Sequence, residues 1–367
     1  MRRNLLALIC CPACQGKLEV VKGEEQDGEI FNGELQCRRC QELYPILRGM
    51  PLLYINDERW QPKAVEAEGW AAYHKQLHMY DVVEDSVDLK IPYYPEEPWI
   101  GVARSFDIAL DLLELSGDET VLDLGAGRGW AAKEFALLGC RVVALDITPD
   151  ENVGLGRARA IMKHHDVYFE RVIGDGENLP FSPVSFDVIF CSAALHHSSN
   201  LPLLFKNASD VLKEGGRLCV IKEPCINVLA DEGDILKRDA QQEMAVGINE
   251  TRPDLPAYLD ALTGAGMMPL RVFPSPAYQM SRRDLIQWAR SLRAVNPGLN
   301  VAAFRSTLRA WLDFATIRAK ALLRRKLFRA WRVTWPARGR ERVEAGVLVW
   351  AGGDMILLAQ RRESIRD

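Results

Sequence analysis

The chain has 367 residues, of which 48% are hydrophobic, and a formal net charge of −4. That length implies two or three domains with a sizeable core. The mildly acidic balance excludes a polycation built to coat nucleic acid along its whole length, and no apolar run reaches the ~18–20 residues that a membrane span needs.

The first residues, MRRNLLALICC, carry an apolar run over Leu5–Cys11. This run is at the lower limit for the core of a secretory leader, and it leads into PAC without a small-residue cleavage site. A cytoplasmic protein is expected. Residues 1–58 form a first unit that holds Cys11-Pro-Ala-Cys14 and Cys37-Arg-Arg-Cys40. Two such knuckles offer four thiolates to a tetrahedral ion, the spacing of a structural zinc site; disulfides or a metal-free site are the alternatives. A closed site of four cysteines leaves no open position for water or substrate, so its zinc folds a module and does no chemistry. The other five of the nine cysteines are scattered and suggest packing.

Residues 59–104 are rich in tryptophan, tyrosine and proline and read either as a linker with helices or as a segment folded over an active site. Helical spacing over 105–116 predicts a helix with Ser105 as its N-cap. From residue 118 strands and helices alternate. Strands are predicted at 119–124, 141–145, 167–173, 185–191 and 217–222, and helices at 129–138, 152–163, 201–212 and 254–265. Such alternation gives a parallel sheet covered on both faces. A sixth strand is predicted at 267–273. The stretch 346–360 reads as a hairpin turning at Gly352-Gly353-Asp354, with its second arm as the last strand. Residues 301–343 carry twelve Arg or Lys against Asp313 and Glu341. A helical wheel puts Ile317, Ala321, Leu327, Phe328, Trp331 and Trp335 on one face with Arg318, Arg325, Arg329 and Arg332 beside it, a basic amphipathic helix. The expected units are 1–58, 59–104, a core over 105–279, a basic helical insertion over 280–343, and a closing hairpin over 344–367.

The strongest signal is VLDLGAGRGW, residues 121–130. Glycines 125, 127 and 129 between a strand and a helix allow a tight turn and close approach to a ligand. Asp146 ends the second strand, where an acid can accept hydrogen bonds from ribose hydroxyls. This spacing alone would also fit a dinucleotide site. The order VLDLGAGRG, VVALD, GDGENLPF, SFDVIF, LHH and VLKEGGRL resembles the class I S-adenosylmethionine-dependent methyltransferases of the type acting mainly on small molecules. The resemblance covers about residues 105–275 plus the last strand. It implies a Rossmann-like sheet in the order 3-2-1-4-5-7-6 with strand 7 antiparallel. It also implies S-adenosyl-L-methionine as cofactor, with Asp123, Gly125, Ala126, Gly127 and Gly129 near its methionine end. Asp146 would bind the ribose, Ile147, Asp175 and Gly176 the adenine, and Ser192 would join the cofactor set. The N-terminal segment resembles the small zinc-binding activator subunits of RNA and protein methyltransferases.

His196 and His197 follow the fourth strand on the ligand-binding edge of this fold. The resemblance places that loop beside the transferred methyl group. A histidine there can take a proton from an acceptor hydroxyl, or it can only order the loop. Zinc binding by the pair is not expected, because no Cys or acid lies at ligand spacing. Glu223, ending the fifth strand, is a third catalytic candidate, weighed against a solvated carboxylate at a strand end. Residues 225–250 are expected to form part of a lid. The implied activity is methylation of a small molecule, a glycan or a lipid-linked saccharide. The alternative is an RNA methyltransferase whose zinc module and arginines bind RNA. Through 301–343 the protein would touch the inner face of a membrane, or RNA, or only solvent.

Overall fold

The computed structural model describes residues 1–77, 85–295, 317–334 and 336–362. Its N-terminal module is an antiparallel sheet of β1 (Leu18–Gln26), β2 (Glu29–Cys37), β3 (Leu43–Leu47) and β4 (Met50–Pro51), in that order. Asp27 and Gly28 turn the first hairpin with φ of 53° and 76°, the positive angles that a two-residue Asp-Gly turn needs.

The main sheet has seven strands: β5 (Thr120–Leu124), β6 (Arg141–Asp146), β7 (Glu170–Ile173), β8 (Phe186–Ser192), β9 (Leu212–Cys225), β10 (Met267–Pro274) and β11 (Gly353–Arg361). Their order is β10-β11-β9-β8-β5-β6-β7, and β11 runs antiparallel to both neighbours. This is the 3-2-1-4-5-7-6 order implied by the resemblance. The parallel central strands are apolar on both faces, as burial on both sides requires. Phe106, Phe135 and Phe190 meet edge to face on one side, with centroids 5.1–5.6 Å apart. The order reverses between β5 and β8, and the crevice at their carboxyl ends is where such sheets bind ligands.

The module leans on the β7 edge. Leu52 bridges Ile173 in parallel, and Leu53 N–H donates to Ile173 O at 2.8 Å. Cys10 N–H donates to Pro180 O at 2.9 Å, and Asn178 Nδ2 to Pro12 O at 3.3 Å. The module therefore brackets the loop that carries Asp175.

Several expectations change. The stretch 346–360 is not a hairpin, because its first half belongs to a helix, Gly339–Ala351, and only the second half is a strand. An apolar run such as GVLVWA has no period that separates a strand from a buried helix. Tertiary packing decides for helix, burying Ala345, Val347, Leu348 and Val349. Gly352 ends the helix at φ 74°, where a Cβ would stand 2.5 Å from Cys225 O. The boundary at 343 therefore falls inside a helix. The boundary at 104 does too, because that helix spans Trp99–Leu113. Ser105 is no N-cap: it lies buried mid-helix, with Oγ donating to Gly101 O at 3.0 Å and 2.7 Å from Ser275 Oγ. The helix expected at 152–163 starts later, as Ala158–His165, and the third strand starts at Glu170.

The basic helix spans Ile317–Thr334; residues 301–316 and Trp335 lie outside the described residues. On its expected apolar face Leu327 is half-buried, while two aromatic side chains stay largely exposed. Phe328 is 60% and Trp331 48% exposed, while Ala330 is buried. Ala330 and Val333 pack on the apolar core, and cations add to the docking: Lys326 Nζ donates to Ala230 O at 3.0 Å, Arg329 pairs with Asp254 at 3.0 Å, and Arg332 pairs with Asp260. Among the described residues no helix is long and apolar enough to cross a membrane.

Candidate active site

At the carboxyl ends of β5, β6 and β8 lies a cavity of about 390 Å³, within the range of small-molecule sites. Its floor is the turn after β5. Gly125 and Ala126 donate their N–H groups to Leu145 O at 2.9 and 3.1 Å, which anchors the turn to β6. Gly125 sits at φ 72° with Ala194 2.5 Å from where a Cβ would be, and Gly129 at φ 80° with the Phe169 ring at 2.9 Å. Any side chain at either position would be strained and would clash.

Gly125, Ala126, Gly127, Asp146, Ile147, Asp175, Gly176 and Ser192 all line this cavity. Asp146 accepts from Gly127 N–H at 2.7 Å and Thr148 N–H at 2.8 Å. Asp175 accepts from Glu177 N–H at 2.9 Å. Burial pushes both carboxyls above the ordinary aspartate range. Asp123 and Gly129, expected beside the cofactor, are not among the lining residues. Asp123 is buried behind the turn and accepts from Ala132 N–H at 2.9 Å, tying the helix Trp130–Leu137 to β5. Its carboxyl is pushed up to about 7 by burial.

The two histidines separate in role. His197 lines the cavity. Its Nδ1–H donates to Asn249 O at 2.7 Å, and since a carbonyl only accepts, Nε2 carries the lone pair. Burial holds its pKa well below the usual histidine range. His196 is turned into the protein. Glu223, fully buried, accepts from His196 Nδ1–H at 3.0 Å, His196 N–H at 2.8 Å, Leu195 N–H at 3.2 Å and Tyr258 Oη–H at 2.8 Å. Glu223 is thus neither solvated nor on the cavity wall; it fixes the loop of the histidines.

The expectation that no acid reaches the pair is overturned. Glu250 lies 3.9 Å from His196 Nε2 and 3.6 Å from His197 Nδ1, brought there by the fold. The three groups fit a metal poorly. His197 Nδ1, the nitrogen that faces Glu250, is spent on Asn249, and Glu250 is paired with Arg252.

The cavity's roof comes from the described residues of 59–104, which are folded over the site. The helix Gln61–Gln76 contributes Lys63, Glu66, Trp70 and His74, and Ile91 and Trp99 follow. Lys63 Nζ reaches Glu177 at 3.4 Å, and Tyr73 Oη–H donates to Glu243 at 2.7 Å. Segment 225–250 thereby packs against the roof helix, although none of its residues lines the cavity. The sequence reading missed Lys63, Glu66, Trp70 and His74, although their spacing of three, four and four marks one helix face.

The four module cysteines stand within 4.8 Å of one another. Cys11 and Cys40 Sγ are 3.6 Å apart, and Cys14 and Cys37 3.5 Å. Bonds of ~2.3 Å in a tetrahedron set S···S near ~3.8 Å, so the cluster fits one tetrahedral ion.

With this geometry in view, comparison with known families is decisive for two segments. Residues 122–220 match the family described as "Methyltransferase domain", and residues 2–49 match "Trm112p-like protein". This chain carries a methyltransferase domain behind a Trm112p-like segment. The chain is 37% identical over 109 residues to the biotin biosynthesis bifunctional protein BioHC of Cellvibrio japonicus, covering 29% of this chain and 20% of that protein. It is 35% identical over 112 residues to the demethylmenaquinone methyltransferase of Tropheryma whipplei, covering 30% and 45%. It is 31% identical over 146 residues to the sarcosine/dimethylglycine N-methyltransferase of Halorhodospira halochloris, covering 38% and 51%. The chain thus spans between a fifth and about half the length of these relatives. Among solved structures, a complex of the Haloferax volcanii Trm112 methyltransferase activator with a methyltransferase overlays at 17% identity and TM-score 0.46, covering 81% of this chain and 98% of that one.

Proposed function

We propose that this protein transfers a methyl group from S-adenosyl-L-methionine to a small-molecule, glycan or lipid-linked acceptor by direct in-line displacement. The observation that carries this reading is the convergence of the Gly125-Ala126-Gly127 turn, Asp146 and Asp175 on one cavity, with His197 on its wall. Asp146 would hold the ribose hydroxyls, Asp175 and Ile147 the adenine, and the glycine turn the methionine end. When bound, the cofactor supplies an electrophilic methyl on a sulfonium. The protein's own work is positioning, exclusion of water by the roof, and proton removal. His197 Nε2, unprotonated at neutral pH, is the group that would take the acceptor's proton. His196 and Glu223 would hold that base in place, and Asp123 would support the turn. Calorimetry with S-adenosylhomocysteine on the wild type and Asp146→Ala tests the reading: equal affinities would sink it.

Cys11, Cys14, Cys37 and Cys40 would hold one structural zinc, and the module would brace the Asp175 loop. The Trm112p-like segment also favours a second reading, an RNA methyltransferase. RNA affinity falling steeply with salt would support it, and affinity independent of salt would remove it. Peripheral contact with an anionic membrane in the cytoplasm would use exposed Phe328 and Trp331 beside Arg325; sedimentation with anionic vesicles reads this out.

A further inference from the structure

Four acids line the cavity: Glu66, Asp146, Asp175 and Glu177. Three have their partners in the protein. Asp146 and Asp175 accept backbone N–H groups as described. Glu177 accepts from Ser198 Oγ–H at 3.0 Å and Ser199 N–H at 2.8 Å and faces Lys63 at 3.4 Å.

Glu66 is different. It is only 2% exposed. Its nearest cation, Lys63 Nζ at 3.8 Å, stands closer to Glu177. Its other neighbour, His197 Nδ1 at 4.0 Å, already donates to Asn249. Both distances are beyond hydrogen bonding. A buried carboxylate without a donor is costly, and this one faces a cavity.

Its surroundings indicate which donor would fit. Trp70, one turn on, shares its helix face, with its ring edge-on to His197 at 5.2 Å and 87°. Trp99 and Trp130 line the same cavity, with centroids 6.5 Å apart. His74, on the next turn of the cap helix, is kept neutral near pH 7, its pKa lowered to about 4 chiefly by burial. Indole faces attract cations and a carboxylate supplies the countercharge. With Glu66 ionised, above about pH 7, an anionic acceptor would meet repulsion here, and a neutral hydroxyl compound would leave the Glu66 charge unmatched.

We infer that Glu66 and Trp70 form the acceptor subsite, and that it takes a small compound carrying an ammonium group. This rests on the cofactor reading above and deepens it.

The test uses the whole protein and two probes of similar size, tetramethylammonium and uncharged neopentyl alcohol. S-adenosylhomocysteine binding is measured first; its absence would sink the cofactor reading and the inference together. With S-adenosylhomocysteine bound, tetramethylammonium is expected to bind the wild type at least roughly tenfold more tightly than neopentyl alcohol. Its affinity should fall roughly tenfold in Glu66→Gln and several-fold in Trp70→Leu. If the alcohol binds as tightly as the cation, or Glu66→Gln leaves the cation's affinity unchanged, the inference is overturned while the cofactor reading stands. Should Glu66→Gln lose its affinity for S-adenosylhomocysteine, the comparison of the two probes on the wild type decides alone.

Discussion

His197 and Asn249 hold each other twice: His197 Nδ1–H donates to Asn249 O at 2.7 Å, and Asn249 Nδ2–H donates to His197 O at 2.7 Å. The pair sets the ring's tautomer and its backbone together, and leaves Nε2 as the lone-pair nitrogen of a residue on the cavity wall.

Replacing His197 by Gln is therefore expected to lower kcat by about 10²-fold or more while the affinity for S-adenosylhomocysteine stays within a few-fold. Because burial keeps the His197 pKa well below its usual value, its titration is displaced to the acid side of the ordinary histidine range. The wild-type kcat should show no histidine limb between pH 6 and 8. A His197→Gln enzyme that turns over normally would restrict this residue to shaping the loop.

Glu66 gives a pH dependence of stability. Burial raises its pKa from 4.5 to about 7, with Lys63 opposing. Between those values the folded state holds a proton that the unfolded chain has lost, so stability falls as pH rises through that window. Glu66→Gln removes this penalty. The variant should match the wild type near pH 4 and exceed it by about 1–3 kcal/mol at pH 8. Denaturant titrations at both pH values check this; an equal difference at the two would contradict it.

Glu223 is satisfied by four donors in a site with no exposure. Glu223→Ala orphans them and should cost about 3–5 kcal/mol. Tyr258→Phe removes one donor and should cost about 1 kcal/mol. Urea unfolding of both variants would show whether this ranking holds.

Metal analysis of freshly purified protein should find about one zinc per chain, and substantially less than half would count heavily against the site. Chelation or Cys14→Ser should unfold the module. Through Asn178–Pro12 and Leu53–Ile173 it should also weaken S-adenosylhomocysteine binding several-fold, as calorimetry before and after zinc is restored would show.

Much of the site was legible in the sequence because its parts are local. Gly125, Ala126 and Gly127 form one turn, Asp146 closes one strand, and each cysteine knuckle is four residues long. Short-range backbone chemistry marks such features without knowledge of the fold. Alternating strands and helices announced a parallel sheet covered on both faces, while the strand order was implied only by the resemblance to the methyltransferases.

Other features depended on what lies far away in the chain. The run 346–351 is a helix because it packs between elements that its own residues do not encode. Asp123 turned away from the cavity to bind Ala132 N–H, and Glu223 was enclosed by Tyr258 and the histidine loop. Glu66, Asn249 and Glu250 meet His197 across separations of 131, 52 and 53 residues. By itself the sequence determined the sheet, the glycine turn and the cysteine cluster, each set by neighbouring residues. Only the tertiary structure decided which histidine faces the cavity and which carboxylate stands there unmatched, because burial and partnership belong to surroundings assembled from distant segments.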